Sequence, residues 1–198
     1  MVLLAQIPSR RAHQSKIDAN SFKNAMRQLS GGVTVITAGQ GENISGMTVT
    51  SFSSLTADPP SVIVAISQSA SSWPLIEKFG HFGASVLAGD QFEIAKRFTS
   101  QSGLKGLEKF QSVAWKSAES GTPLLVNALA TFDCSVARVI EHHTHIILIG
   151  HVMELHAFPD RSGGLAYWRG QYHTVEGNED VRILSEVSMP TACALQEF

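Results

Sequence analysis

The apolar residues of this chain gather into short β-branched runs with no regular helix between them: VTVITA at 33–38, SVIVAIS at 61–67, FGASVL at 82–87 and HIILIGHVMEL at 145–155. That spacing constrains the fold more than any other feature. Parallel strands need crossovers of about a dozen residues or more, usually helical, and here the helix-like stretches are few and short. The expected class is therefore mainly β with appended α, an antiparallel barrel or sandwich.

The helix-like stretches carry their own punctuation. Phe22, Ala25, Met26 and Leu29 form one apolar stripe of a helix starting near Asn20 and Ser21, with Gly31-Gly32 as its stop. Ser71-Ser72 caps a short helix that has Pro74 in its first turn and ends at Gly80. Asp90 with Glu93 resembles a capping box for a helix that turns Ile94 and Phe98 inward. GQGEN (39–43) is expected to turn VTVITA into a second strand, ISGMTVTSF (44–52), and DPP (58–60) breaks the chain before SVIVAIS, a strand buried on both faces. Residues 100–121, rich in Ser, Gly and Lys, are expected to run over the surface. TFDCSVARVI (131–140) alternates, Phe132, Cys134 and Val136 against Thr131, Asp133 and Ser135, and YWRGQYHTV (167–175) is the last strand.

A chain of 198 residues suits one domain. Residues 1–18 are expected to be a flexible arm, 19–178 the domain and 179–198 a C-terminal extension. A net charge of −2 gives no strong field for nucleic acid or anionic lipid, and no apolar stretch reaches the roughly 20 residues of a membrane span. In MVLLAQIPSRRAHQ the arginines follow the apolar run, the wrong order for a secretory signal. Cys134 and Cys193 lie far apart and make no CxxC pair, so a reducing cytoplasm is the expected location.

Three groups of residues invite a chemical reading. GQGENI begins like a dinucleotide fingerprint, but Ile44 stands at the third glycine and an extended segment follows where a helix is needed. His142, His143, His145, His151 and His156 invite a metal, yet His145 and His151 are six residues apart on one strand, about 20 Å. No further ligands suggest themselves, so no metal is expected. The hydroxyl-rich run SGMTVTSFSS (45–54), echoed by SQSASS (67–72), has no GxSxG elbow around any serine. Two readings of it stay open: a surface of neutral donors and acceptors for a polar heteroaromatic or phosphorylated ligand, with Lys96 and Arg97 as cations, or a Thr/Ser-rich strand with one face in water.

FKNAMRQLSGGVTVITA, GMTVTSFSSLTADPPSVIVAISQSASSWPLI, FGASVLAGDQFEIAKRF, GTPLLVNALATFDCSVARVIEHHTHIILIGHV and LAYWRGQYHTV follow one another in an order that strongly resembles the flavin reductase-like family, from about residue 20 to 175. The resemblance implies an FMN-binding split barrel, antiparallel and Greek-key-like, acting as a homodimer. It implies NAD(P)H:flavin oxidoreductase activity on FMN or FAD, with reduced flavin handed to a flavin-dependent oxygenase. Within the fold, a non-flavin acceptor (a corrinoid or ferric complex) or a non-catalytic flavin- or haem-binding module are the alternatives. Carried over residue by residue, Thr48, Val49, Thr50 and Ser51 are the expected ring contacts, with Ser53 and Ser54 toward the ribityl and phosphate. Ser69 and Ser71, then Lys96, Arg97 and Phe98, approach the flavin as well. Relatives carry Gly-Asp-His where this chain has His143-Thr144-His145; His145 keeps the histidine that seats the nicotinamide, while the lost Gly-Asp leaves NADH against NADPH open. Tyr172 and His173 are expected to line the same cleft.

Overall fold

The structure, a computed structural model, describes residues 17–158, 161 and 163–176. The expected arm (apart from Ile17 and Asp18) and the expected extension lie outside the described residues, as does Cys193.

Gly39 and Gly41, with φ of 94° and 60°, turn strand β2 (Thr34–Gln40) into β3 (Asn43–Val49). A Cβ on Gly39 would stand 2.0 Å from the Asn43 carbonyl oxygen, so this close approach admits only glycine. GQGEN is thus a hairpin turn. The second expected strand, ISGMTVTSF, is cut short: β3 stops at Val49, and Ser53–Ala57 forms its own strand, β4, paired with β5 (Pro60–Ser67). Serine and threonine patterning carries no signal for that break.

One antiparallel sheet then runs β3-β2-β6-β9-β10-β5-β4, where β6 is His81–Val86, β9 Ala130–His142 and β10 His145–Ala157. Its two edge strands, β3 and β4, are consecutive in the chain and joined only by Thr50–Phe52. A flat sheet of seven strands would hold its edges about 29 Å apart at ~4.8 Å per neighbour. The link from Val49 to Ser53 reaches at most about 14 Å. The sheet therefore curls into a barrel that is split between β3 and β4, the architecture the resemblance implies.

The strand residues fill two cores. Ile36, Val64, Phe82, Cys134, Ile146 and Leu148 pack in one, and Val33, Val35, Ile44, Leu87, Phe98, Phe110 and Leu125 in the other. Val35 and Ile36 are neighbours in different cores, as the two-residue period of a strand buried on both faces requires. On β9 the Thr131 and Asp133 face is buried too: a turn at Ser120 covers it and donates its backbone N–H and hydroxyl to the Asp133 carboxylate at 3.0 and 2.7 Å. Burial, with Asp133 beside it, pushes the Cys134 thiol up to about 12.

Among the described residues three short α-helices accompany the sheet. Helix α1 (Ala19–Met26) starts at Asp18, whose carboxylate accepts from the Asn20 and Ser21 N–H groups at 2.9 and 3.0 Å. The Ser21 hydroxyl and those amides hold that carboxyl below its usual range. The helix ends before Gly31-Gly32, which instead forms a short strand, β1, and a Cβ on Gly31 would press on Thr50 at 2.9 Å. Helix α2 (Trp73–Phe79) closes on left-handed Gly80, as expected, but the expected serine cap is not made: Ser72 at the N-cap position has no side-chain cap bond, and the Ser71 hydroxyl bonds Ser45 instead. Helix α3 (Phe92–Arg97) departs from the expected capping box: Gln91 is its N-cap residue, accepting from the Ala88 N–H, while Asp90 pairs with Arg161.

Two other segments differ from expectation. YWRGQYHTV is a hairpin of β11 (Gly164–Trp168) and β12 (Gln171–Val175), because Arg169 and Gly170 both take positive φ, 51° and 84°. The 100–121 excursion holds 3₁₀ turns at Ser100–Ser102 and Gly106–Phe110, the latter with Lys109 and Phe110 buried, and then β7 (Trp115–Ser117), which pairs with β8 (Pro123–Leu125).

Candidate active site

The split in the barrel is built outward from the end of β3. There the Thr48 N–H donates to the Phe98 carbonyl at 3.2 Å and the Thr48 hydroxyl to the Ala95 carbonyl at 2.7 Å. These bonds pin α3 beside the split. The 3₁₀ turn that ends at Phe110 is clasped to the same place, since Arg97 donates to the carbonyls of Glu108 and Lys109 at 2.6 and 2.8 Å. The Lys109 ammonium donates to the carbonyls of Gly46 and Phe98 at 3.0 and 3.3 Å. Burial alone holds that ammonium below the usual lysine range.

Between these elements and the β11–β12 hairpin opens a cleft of about 1030 Å³, at the upper end of the usual range for ligand sites. Thr48, Val49 and Thr50 form one wall, and Lys96 and Arg97 with Phe92 form a second. Tyr167, Gly170 and Tyr172 close the hairpin side, while residues 99–102 and 111–113 complete the rim. The aromatic rings brace one another: Tyr172 lies edge-on to Phe92 at 5.1 Å and to Tyr167 at 5.0 Å. Burial, then the neighbouring Tyr167, lifts the Tyr172 phenol above its ordinary value.

The two cations of α3 differ in what they leave free. Both the Arg97 Nε and Nη2 are committed to carbonyls. Lys96 holds only an exposed contact with Glu93 at 3.5 Å and lies over the Phe92 ring at 4.9 Å. Such an exposed pair contributes little, so Lys96 can turn to an anion in the cleft.

Of the residues singled out in the sequence, the cleft gathers Thr48, Val49, Thr50, Lys96, Arg97 and Tyr172. Ser51 lies just past them, its hydroxyl on the Ala65 carbonyl at 2.7 Å. Ser53 and Ser54 stand exposed on β4 opposite Ile63 and Val62. Ser69 bonds Ser67, and Ser71 bonds Ser45 on β3, each at 2.8 Å. His145 pairs across the sheet with Ser67 and lies exposed at the β9–β10 tip, its Nδ1 2.9 Å from the Thr144 hydroxyl. Neither His145 nor these serines line the cleft.

Phe98 and His173 stand apart. The Phe98 side chain is fully buried against Phe110, and its carbonyl is already taken by Thr48 and Lys109. His173 neighbours Tyr172 on a strand and so faces the other way, with its ring 5.9 Å from Trp168. Among the described residues no three His, Cys, Asp or Glu side chains come together as ligands for one metal ion.

Sequence reasoning missed Phe92, Tyr167 and the rim from Thr99 to Ser102. The rim had a signal, since Thr99-Ser100-Gln101-Ser102 repeats the hydroxyl and amide character of 45–54.

Comparison with known proteins agrees with this architecture. A flavin reductase of Pseudomonas putida is 35% identical over 160 residues, covering 80% of this chain and 91% of its own. The reductase subunit HsaB of a flavin-dependent monooxygenase from Mycobacterium tuberculosis is 32% identical, covering 82% and 85%. The solved structure of the NADH:FAD oxidoreductase SgcE6 of Streptomyces globisporus, in complex with NAD and FAD fragments, superposes with a TM-score of 0.74 at 28% identity, covering 81% and 94%. Residues 26–176 match the flavin reductase like domain, and the chain belongs to that family.

Proposed function

We propose that this protein is an NAD(P)H-dependent flavin reductase that takes FMN or FAD into the cleft beside the barrel split and supplies reduced flavin to a partner oxygenase. The observation that carries the reading is the cleft itself: the polar groups of Thr48–Thr50, the Lys96 ammonium held just by an exposed contact with Glu93, and a wall of aromatic rings, all within the family match.

The donor set fits a flavin. A tricyclic ring presents polar edges and apolar faces, and this cleft pairs Thr48 and Thr50 with Val49, Phe92 and Tyr172. Bound flavin supplies the hydride-accepting chemistry. The chain's own task is to orient and to exclude water. Thr48 is held by two bonds to α3, so the strand presenting Thr50 and Val49 is set before ligand arrives. Lys96 steadies a phosphate, and the edge-on aromatic trio narrows access for water. His145, at the β9–β10 tip beside Ser67, seats the nicotinamide from outside the cleft. The partner and the electron path parallel what the names of HsaB and SgcE6 state for those proteins.

A homodimer belongs to the same reading. Phe22 and Leu29 are 58% and 68% exposed, and Leu55, Ile140 and Leu155 are exposed as well, apolar surface of the kind that self-association covers. Sedimentation is expected to give a dimer. A cytoplasmic setting, where reduced pyridine nucleotide is made, completes the proposal; among the described residues no helix is long and apolar enough to cross a membrane.

The decisive test follows NADH and NADPH oxidation at their near-ultraviolet band with FMN or FAD added. Flavin-dependent oxidation is expected with at least one pair, and its absence with all four refutes the proposal. His145→Ala is expected to raise the KM for nicotinamide nucleotide more than the Kd for flavin, and the reverse pattern removes His145 from the nicotinamide role.

A further inference from the structure

Lys109 is the most unusual side chain near the cleft. It is 6% exposed, and its ammonium meets two backbone carbonyls, those of Gly46 on β3 and Phe98 at the end of α3. No carboxylate pairs with it among the ion pairs of the described residues. Burying an ammonium without a counter-charge is unfavourable, and a methionine of similar length fills the same space without that penalty. Packing alone therefore does not account for a lysine here. Its donors do.

Those donors converge on the junction that sets the cleft. The Phe98 carbonyl accepts from both Thr48 N–H and Lys109 Nζ, while Gly46 lies two residues before Thr48 on the same strand. Arg97, on α3, reaches back to the carbonyl of Lys109 itself. The clasp is reciprocal: a cation from the helix holds the turn, and a cation from the turn holds the helix end and the strand. Cations at a helix C-terminus also oppose its dipole.

We infer that Lys109 is a positioning residue for the flavin site, its ammonium locking β3 and α3 together so that Thr48–Thr50 and Lys96 face one another at a fixed separation. This rests on the reductase reading for its consequence, though the lock itself is a property of the free chain. Lys109 does not line the cleft, so it acts through Thr48 and not by touching ligand.

The test compares the full chain with Lys109→Met, Lys109→Gln and Leu125→Ala. Leu125 is a buried residue of the same apolar core, bonded to neither β3 nor α3, and serves as the control for general loss of stability. The first readout needs no flavin: amide hydrogen exchange of a peptide covering 45–50 against one covering 81–86. Lys109→Met is expected to speed exchange in the first about tenfold or more and leave the second unchanged. The second readout is FMN and FAD binding by fluorescence titration. Kd is expected to rise about tenfold for Lys109→Met and about threefold for Lys109→Gln, whose amide keeps N–H donors without the charge, but to stay within about twofold for Leu125→Ala. In steady-state kinetics with flavin varied, the effect is expected in the KM for flavin, with kcat at saturating flavin within about threefold.

Unchanged exchange in 45–50, or flavin Kd within about twofold in both Lys109 variants, overturns the inference. So does failure of both Lys109 variants to fold while Leu125→Ala folds, because a residue needed for the whole fold is not a local clamp. If the wild type binds neither FMN nor FAD yet Lys109→Met loosens 45–50, the clamp stands and the reductase reading falls.

Discussion

Gly46→Ala tests the junction of β3 and α3 by adding a single methyl group. An ideal Cβ at Gly46 lies 2.8 and 2.9 Å from two carbons of the Phe98 ring and 3.0 Å from the Ile36 carbonyl oxygen. Carbon pairs settle near 3.5–4.0 Å, so the ring or the strand must give by about 0.7–1 Å. Neither has room. Phe98 is fully buried and stacked edge-on against Phe110 at 5.0 Å, and Ile36 sits mid-strand between β3 and β6. Overpacking of this kind costs about 1–3 kcal/mol. For a chain of this size each kcal/mol moves Tm by about 2–4 °C, so the expected fall is about 2–12 °C. Thermal unfolding followed by circular dichroism at one fixed protein concentration reads it directly. Flavin Kd is expected to rise in the same variant, since the methyl pushes β3 from α3 where Thr48 bonds the helix. A Tm within 1 °C of wild type, the approximate resolution of that fall, means that the packing of Phe98 on Gly46 is not tight.

Lys96→Met is expected to weaken FMN binding about five- to tenfold at low salt and to leave riboflavin, which has no phosphate, unaffected; equal effects on both ligands remove Lys96 from the phosphate. In a Cys193→Ser background, Cys134 is expected to resist Ellman's reagent at about pH 8 until guanidinium unfolds the chain, because its thiol is buried and pushed up to about 12. Rapid reaction of the native protein contradicts that burial. The Tyr172 phenol is raised above its unfolded value of about 10, so the folded state keeps a proton that the unfolded chain releases. Its contribution is complete below pH ~10 and is lost as pH climbs through the folded value. The Tm of wild type is therefore expected to fall relative to Tyr172→Phe only above that pH, and a constant difference across the range argues against a buried phenol.

Much of the architecture was legible along the chain because strand-forming residues and their turns are local. VTVITA, SVIVAIS and HIILIGHVMEL became β2, β5 and β10, and GQGEN became the turn between β2 and β3. Backbone sterics at Gly39 and the apolar period of the strands act within a few residues, so sequence alone carries them. Thr48 to Thr50, which line the cleft, were singled out by the family resemblance, since the hydroxyl-rich run 45–54 by itself left two readings open.

What only the tertiary structure decided lies between segments distant in sequence. Closure of the sheet follows from the short link Thr50–Phe52 joining two edge strands, and nothing local to TSF announces it. Arg97 and Lys96 are neighbours of like charge and both line the cleft, yet two bonds to the carbonyls of residues 108 and 109 commit Arg97, while Lys96 keeps just an exposed contact with Glu93. Tyr172 and His173 were indistinguishable as a dipeptide, and the pleat of β12 sends one to the cleft and one away. Lys109, in a stretch read as solvated surface, is buried because two carbonyls from elsewhere in the chain converge on it. Propensity and period encode the elements, while contacts across sequence distance assign each side chain its task.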